Sequence, residues 1–156
     1  MPWYTQLVNK NQLQIKESEV SMESSTKQFR KRNAILSCLR NTTTHPSAEM
    51  VHEMLQSEHP DISLATVYRN LSRFRNLGVI QCVATVRGIE RFDANTNPHV
   101  HFICSNCDAV IDLHQVEVPQ ALSSSVEETS GCRVESCQLT FTGLCENCKN
   151  VKEKVS

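Results

Sequence analysis

The stretch that most constrains this chain is His99–Cys107, because nine residues there carry two kinds of metal ligand. The turn Cys104-Ser105-Asn106-Cys107 is the usual way to bring two thiolates to one tetrahedral zinc ion. A second pair, Cys145 and Cys148, lies far downstream and would complete a four-sulfur site. His99 and His101 are two residues apart, so on a strand both would point to one face and reach another metal. We therefore predict a closed structural zinc site beside a separate nitrogen and oxygen site.

The eight cysteines of the 156 residues could also belong to a secreted disulfide framework. The N-terminus, Met1-Pro2-Trp3-Tyr4, lacks the features of a secretory signal, and no apolar run is long enough to span a membrane. We therefore expect a cytoplasmic protein without a membrane partner, in which paired cysteines bind metal. The four other cysteines are expected to be small buried hydrophobic residues: Cys38, Cys82, Cys132 and Cys137.

The net charge of −1 conceals a difference between the two halves of the chain. Residues 1–80 carry ten Lys and Arg against seven Asp and Glu, whereas residues 99–156 carry four against eight. This asymmetry indicates that only the front half meets a polyanion such as DNA.

Hydrophobic spacing predicts three helices and a hairpin in the front half. The first helix covers Thr26–Arg40, the second follows the N-cap Ser47, and the third runs from Ser63 to Gly78. The second is expected to bury Ala48, Val51, Met54 and Leu55. The hairpin strands are Val79–Val86 and Ile89–Phe92, which turn at Arg87-Gly88. Three helices followed by a hairpin are the order of a winged helix-turn-helix.

The rear half reads as a second, α+β lobe that begins after Asn95-Thr96-Asn97-Pro98. The expected elements are a strand at His99–Cys104, a strand at Ala109–Leu113, a helix at Pro119–Thr129 and a strand at Cys132–Phe141.

The third helix carries outward residues that suit DNA recognition. Arginine can bind guanine in the major groove through two hydrogen bonds, and tyrosine can contact a thymine methyl group. An ordinary basic surface helix would look similar, but the winged-helix order favours DNA. The expected DNA-binding residues are Ser63, Ala65, Thr66, Tyr68, Arg69 and Arg73.

Spacing alone leaves two interpretations of His99 and His101, which are either ligands of a second metal or polar residues on an exposed strand face. Asp93 and Asp112 are the nearest carboxylates that could join them, and His45 lies in a loop of the front half. Imidazole and carboxylate together suit a divalent transition metal. His114, near Asp112, is not expected to be a ligand.

Five segments together resemble the ferric uptake regulator family. They are His45-Pro46-Ser47-Ala48, Ser63–Arg69, Arg91-Phe92-Asp93, His99–Cys107 and Cys145–Cys148, and the likeness is collinear from about residue 26 to 148. The resemblance implies a homodimeric, metal-dependent transcription factor that binds double-stranded operator DNA. It implies an α+β fold with a winged helix-turn-helix DNA-binding domain, which we place at 26–95, and a small α/β dimerisation domain with a structural zinc site, which we place at 96–150. The pattern of the chain adds a leader at 1–25, outside the resemblance, and a tail at 151–156.

Within this family, the peroxide-sensing branch places three histidines and two aspartates at the regulatory metal. Those positions match His45, Asp93, His99, His101 and Asp112. The resemblance implies Fe(2+) or Mn(2+) at this site and oxidation of His45 or His99 when the iron form meets hydrogen peroxide. One departure is Arg69, where the branch often has asparagine and iron-uptake regulators have arginine. This departure bears on the operator sequence more than on the sensing chemistry.

Three other functions fit the same residues. An iron, zinc or manganese sensor of the same family would lack the peroxide chemistry. A mononuclear metal enzyme would need an open coordination position and a general base or nucleophile, and none is evident in the sequence. A zinc-stabilised dimerisation module would use only the four-sulfur site. We therefore expect a regulator and not an enzyme.

Overall fold

The computed structural model describes residues 27–153; the expected leader and residues 154–156 lie outside this range. The elements are α1 (Lys27–Arg40), α2 (Ala48–Leu55), α3 (Leu64–Asn76), β1 (Gln81–Val86), β2 (Ile89–Asp93), β3 (His101–Cys104), β4 (Val110–Asp112), α4 (Gln120–Ser130), β5 (Thr140–Gly143) and α5 (Glu146–Glu153). Here the elements up to β2 are called the N-terminal lobe and those from β3 onward the C-terminal lobe.

The three helices of the N-terminal lobe form one apolar core. Its members include Ile35 from α1, Val51 from α2 and Phe74 from α3, all fully buried. The helical spacing is thus confirmed, but Met54 is wrong as a core residue because its side chain is 46% exposed. It lies on the outer side of α2, where its sulfur contacts Cys38 Sγ at 4.0 Å.

The ends of α2 and α3 follow the expected capping chemistry. The Ser47 hydroxyl accepts a hydrogen bond from the amide of Met50, and the Ser63 hydroxyl accepts one from the amide of Thr66, each at 3.3 Å. After α3 the chain turns at Gly78, whose φ of +66° is the left-handed conformation that favours glycine. These caps fix where α3 starts and stops on the surface of the lobe.

Strands β1 and β2 form the expected hairpin, the wing. They pair antiparallel, with an irregularity between Cys82 and Ala84. The wing also packs against the C-terminal lobe, because Val83 and Val86 form an apolar cluster with Val110 of β4. At the wing tip, Arg87 Nε lies 2.8 Å from Asp108 Oδ2, beside the cysteine turn.

The C-terminal lobe is a three-stranded sheet in the order β4-β3-β5. Strand β3 pairs antiparallel with β4 and parallel with β5. The sequence-based strand at Cys132–Phe141 is wrong over most of its length, since β5 begins at Thr140 and pairs with only the four residues of β3. His99 also precedes β3, which begins at His101.

The four cysteines outside the four-sulfur cluster differ in burial. Cys38 and Cys82 pack against the core as half-buried residues and Cys137 is half-buried, but Cys132 is exposed. The prediction that Cys132 is buried is therefore wrong. Cys132 follows Gly131, which ends α4, and no residue of that helix is buried. Helix α5 runs to Glu153 and so extends past residue 150, the expected boundary between the dimerisation domain and the C-terminal tail. Within residues 27–153, no helix is long and apolar enough to cross a membrane.

Candidate metal centres and DNA-facing helix

The four cysteines of the two Cys-x-x-Cys pairs meet in one cluster: Cys104, Cys107, Cys145 and Cys148. Their sulfur atoms all lie within 4.8 Å of one another, and Cys107 Sγ is 3.8 Å from Cys145 Sγ. Thiolates at about 2.3 Å from a tetrahedral zinc ion lie about 3.8 Å apart. The cluster therefore fits a structural zinc site.

Backbone amides prepare this cluster for a cation. The amide of Cys145 donates to Cys104 Sγ at 3.4 Å. This bond, followed by one from the amide of Cys107, lowers the pKa of the Cys104 thiol to about 6. The Asn106 side-chain amide donates to Cys148 Sγ at 3.3 Å. Each donor directed at a sulfur favours the thiolate, the form that binds metal. At Cys148 the Asn106 bond lowers the pKa, but the contacts with Cys145 and Cys104, together with desolvation, outweigh it, so the pKa of Cys148 lies above its ordinary value. At Cys107 a backbone bond lowers the pKa, but the neighbouring cysteine thiols outweigh it and raise the pKa to about 12.

A second cluster gathers five nitrogen and oxygen ligands from both lobes: His45, Asp93, His99, His101 and Asp112. One donor atom from each residue lies within 4.8 Å of all the others. Each of the three imidazole Nε2 atoms lies 2.9–3.8 Å from one oxygen of each aspartate. Ligands about 2.1 Å from a divalent ion lie roughly 3 Å apart when adjacent, so these spacings suit coordination.

Backbone contacts aim the side chains inward. His45 sits in the loop before α2 with a φ of +49°, a conformation that costs about 1–2 kcal/mol outside glycine. Its Nδ1 donates to the Val110 carbonyl at 3.2 Å, which leaves Nε2 free for the cluster. His99 Nδ1 likewise donates to the Asn97 carbonyl at 2.7 Å, so that its Nε2 faces the cluster.

The aspartates are held in similar ways. The amide of Asn95 donates to Asp93 Oδ1 at 2.7 Å, so Oδ2 faces the histidines. The antiparallel register of β3 and β4 places His101 directly opposite Asp112. Both contacts follow from backbone geometry at the end of β2 and between two paired strands.

The site's electrostatics reflect burial and close opposite charge. Burial lowers the pKa of His45, but the nearby Asp93 carboxylate and the charge of Asp112 outweigh it, so the pKa lies above the ordinary value. Burial raises the pKa of Asp93, yet His45 and the Asn95 amide bring it below its ordinary value. Burial lowers the pKa of His101.

Two of the atoms that could bind a metal in this cluster lack a hydrogen-bond partner within residues 27–153. They are Asp93 Oδ2 and His101 Nε2, and both are buried. A buried polar atom without a partner costs free energy, and native proteins seldom leave one unexplained. A cation bound between them would satisfy both, and the three imidazoles and two carboxylates suit a divalent transition metal.

His114 lies at the edge of this cluster. Its Nε2 is 3.6 Å from Asp112 Oδ2, whereas Oδ1 of the same carboxylate contacts the three histidines. The His114 side chain is 66% exposed and is not among the five clustered residues.

Helix α3 presents its polar residues on the surface of the N-terminal lobe. Ala65, Tyr68 and Arg69 are exposed, and Thr66 and Arg73 are half-buried. The hydroxyls of Ser63 and Thr66 lie 3.0 Å apart at the start of the helix. Their bonds to each other and to the backbone fit a capping role at this end.

Two acidic contacts of α3 were not expected from the sequence. The Tyr68 hydroxyl donates to Glu49 Oε1 on α2, and Arg75 Nη1 lies 2.5 Å from Glu90 Oε1 on the wing. These partners are 19 and 15 residues apart and belong to different elements. No local pattern in the sequence reports such pairs.

Known proteins resemble this chain along most of its length. The peroxide operon regulator of Bacillus subtilis is 32% identical over 136 residues, which cover 86% of this chain and 93% of the relative. The peroxide-responsive repressor PerR of Staphylococcus epidermidis is 30% identical and covers 76% of this chain and 78% of its own length.

Solved structures share the fold. The Helicobacter pylori ferric uptake regulator Fur superposes with a TM-score of 0.70 at 20% identity, covering 89% of this chain and 90% of that one. The Campylobacter jejuni peroxide stress regulator gives 0.67 at 23% identity, covering 89% and 98%. Residues 23–142 match the ferric uptake regulator family itself. The chain therefore belongs to the ferric uptake regulator family, whose members are metal-responsive, DNA-binding transcriptional regulators and not enzymes.

Proposed function

We propose that this chain is a cytoplasmic, homodimeric repressor that binds operator DNA when its His and Asp cluster holds Fe(2+) or Mn(2+), and that it senses hydrogen peroxide there. The observation that carries the proposal is the five-ligand cluster shared between the lobes. Similarity to the peroxide operon regulator of Bacillus subtilis and to the peroxide-responsive repressor PerR of Staphylococcus epidermidis supports the sensing branch.

The ligands come from both sides of the junction between the lobes. His45 and Asp93 belong to the N-terminal lobe, His101 and Asp112 belong to the C-terminal lobe, and His99 lies in the connection just before β3. Residues that share one ion hold the lobes in a single orientation. Without the ion, two buried donor atoms lack partners, and the DNA-binding orientation becomes a minor population.

The four cysteines would hold Zn(2+) in a role separate from sensing. They join the end of β3 to the start of α5 within the C-terminal lobe. A four-thiolate set leaves no open position for a further ligand, so its expected contribution is stability.

A second copy of the chain is the expected partner of the C-terminal lobe. Helix α4 buries none of its residues in a single chain, and several large apolar side chains of this lobe are exposed. They include Ile111, Val116, Leu122, Val126 and Phe141. A two-fold dimer through this face would present two α3 helices to successive major grooves.

Helix α3 would then read the DNA. The expected contacts are Ser63, Ala65, Thr66, Tyr68, Arg69 and Arg73. Exposure of Tyr68 and Arg69 on one face supports base contacts, whereas the capping bonds of Ser63 and Thr66 support a place near the phosphates.

Ferrous iron, when bound, would supply the electron that cleaves the O–O bond of hydrogen peroxide beside the imidazoles. Overall, one peroxide oxygen would be inserted into a ring C–H bond, and the other would leave as water, so that the imidazole provides the two electrons that reduce the peroxide. His45 and His99 are the expected sites of oxygen addition. The resemblance to the peroxide-sensing branch assigns this role to these two histidines, and both are among the clustered ligands. An oxidised imidazole is a poorer ligand, so the lobes lose their shared ion and DNA is released.

The test compares iron-loaded with manganese-loaded protein, with and without peroxide, on a duplex selected from a random library. Peroxide should release DNA only from the iron form, with one added oxygen atom at His45 or His99 by peptide mass spectrometry. DNA release without such oxygen would contradict the mechanism. Binding that depends on metal but ignores peroxide would favour the metal-level sensor instead.

A further inference from the structure

Tyr68 is the most exposed aromatic residue of α3, yet its hydroxyl is already engaged. The side chain is 48% exposed, and the hydroxyl donates its hydrogen to Glu49 Oε1. The other carboxylate oxygen of Glu49 accepts a bond from the Ser47 hydroxyl at 2.8 Å. Glu49 also lies in the first turn of α2, where the helix dipole favours negative charge.

These contacts keep Glu49 ionised. The hydrogen bond from Tyr68 and the bond from Ser47 lower the pKa of Glu49. The same bond to Glu49 raises the pKa of Tyr68. An ionised carboxylate only accepts hydrogen bonds, and a phenol has one hydrogen to donate. With that hydrogen committed to Glu49, the Tyr68 oxygen can only accept a further bond.

We propose that Glu49 is a specificity-determining positioning residue, which holds the Tyr68 hydroxyl as an acceptor so that Tyr68 selects a base with an exposed amino group. In the major groove those bases are adenine, through N6, and cytosine, through N4. The inference deepens the proposed function and rests on it, because it assigns a base preference to the same DNA-facing helix.

The neighbouring side chain has the opposite chemistry. Arg69 is exposed next to Tyr68 and carries only donors, which suit the O6 and N7 acceptors of guanine. Tyr68 would therefore accept hydrogen bonds from base amino groups, and Arg69 would donate hydrogen bonds to base acceptors. Phosphate oxygens accept but do not donate, and the Glu49 carboxylate repels them, so Tyr68 belongs at a base edge and not at the backbone.

The test selects duplexes from a random library with metal-loaded, full-length wild type, Glu49→Gln, Tyr68→Phe and the double variant. Tyr68→Phe should lose preference at one position of each half-site by about threefold to tenfold, the size of one hydrogen bond. At that position the wild type should favour adenine or cytosine, and Glu49→Gln should weaken the preference, because the neutral amide is a weaker acceptor than the carboxylate and can also donate to the hydroxyl. The double variant should match Tyr68→Phe, because Glu49 acts through the hydroxyl.

A matched control separates this effect from charge. Glu53→Gln removes the same charge from the exposed side of the same helix, four residues further along, and should leave the selected sequence unchanged. Unchanged selection by Glu49→Gln, or effects of the two variants that add independently, would overturn the inference. If the wild type selects no sequence at all, the proposed function fails and the inference with it.

A second measurement needs no DNA. The absorbance of the ionised phenol, taken as wild type minus Tyr68→Phe, reports the titration of Tyr68 alone. Glu49→Gln should shift this titration to lower pH, because the partner that raises the pKa of Tyr68 is no longer charged. Glu53→Gln should leave the pKa of Tyr68 unchanged. An unchanged pKa of Tyr68 in Glu49→Gln would overturn the hydrogen bond between Tyr68 and Glu49 on which the inference rests.

Discussion

The two ligand clusters differ in which parts of the chain supply them. The four cysteines all belong to the C-terminal lobe, around one end of β3 and the start of α5. The histidines and aspartates come from both lobes and meet at the other end of β3. Under the proposed function, removing an ion from the first cluster would destabilise the C-terminal lobe, whereas removing one from the second would free the two lobes to move relative to each other. Ligands drawn from a single lobe suit stability, and ligands drawn from two lobes suit switching.

The largest expected effect comes from Cys145→Ser. Loss of one thiolate from the closed set should abolish zinc binding, and the sheet and α5 should lose their connection, with a fall in Tm of more than about 10 °C and loss of the dimer. Elemental analysis, calorimetry and size-exclusion chromatography measure these outcomes. Cys132→Ser, at an exposed cysteine outside the cluster, should retain zinc and the dimer. A folded, zinc-free dimer of Cys145→Ser would break the distinction between the clusters.

His45→Ala should affect switching and spare stability. It removes the ligand contributed by the loop before α2, and Mn(2+) affinity should fall by at least about 100-fold, since changes to outer partners of a ligand alone cost 10–100-fold. Zinc content should not change. Calorimetric titration with Mn(2+) and DNA binding with added metal provide the measurements. The control is His59→Ala, which alters a histidine after α2 that is not among the clustered residues and should bind metal normally.

Arg69→Ala should leave both clusters intact and weaken recognition. If Arg69 binds guanine, the loss should be about 1–3 kcal/mol of discrimination at one base. Competition between duplexes that differ at single positions measures this loss. Arg75→Ala should not change base preference, because Arg75 is paired with Glu90 on the wing. Equal relaxation in both variants would mean that the charge of the helix, and not Arg69, sets the sequence.

Arg87→Ala should have the smallest effect. The pair with Asp108 links the lobes, but Arg87 is 69% exposed, and such surface pairs contribute at most about 1 kcal/mol. The concentration of Mn(2+) that gives half-maximal DNA binding should shift by less than about fivefold, which corresponds to 1 kcal/mol. A shift as large as that of His45→Ala would show that the ion pair, and not the shared metal, holds the lobes together.

Local patterns in the sequence predicted much of this molecule. Ser47, Ser63 and Gly78 mark helix ends because capping is a short-range effect, and the two cysteine pairs predicted their own cluster. Long-range pairing was not accessible in the same way. The residues from Cys132 onward were read as a strand, but strand formation requires a partner, and β3 offers only four residues.

The mixed cluster was only partly predictable. His101 and Asp112 face each other through strand register, and the spacing of the sequence already favoured them. His99 reaches the site from outside the strand, so the argument from alternating side chains fails for it. His45 is 48 residues before Asp93, and only the family resemblance connected the two. Backbone groups such as the Val110 carbonyl have no sequence signature at all.

Val110 contacts the N-terminal lobe in two ways, and both contacts would be lost if the lobes moved apart. Its carbonyl accepts the hydrogen bond that orients His45, while its side chain packs against Val83 and Val86 of the wing. Rotation of one lobe breaks the hydrogen bond and opens the packed contact together, because both belong to one residue. Packed contacts resist intermediate positions, so they favour two discrete arrangements over a continuous range. Release of DNA is therefore expected to be all-or-none in each subunit, with no partly rotated form accumulating as metal is withdrawn.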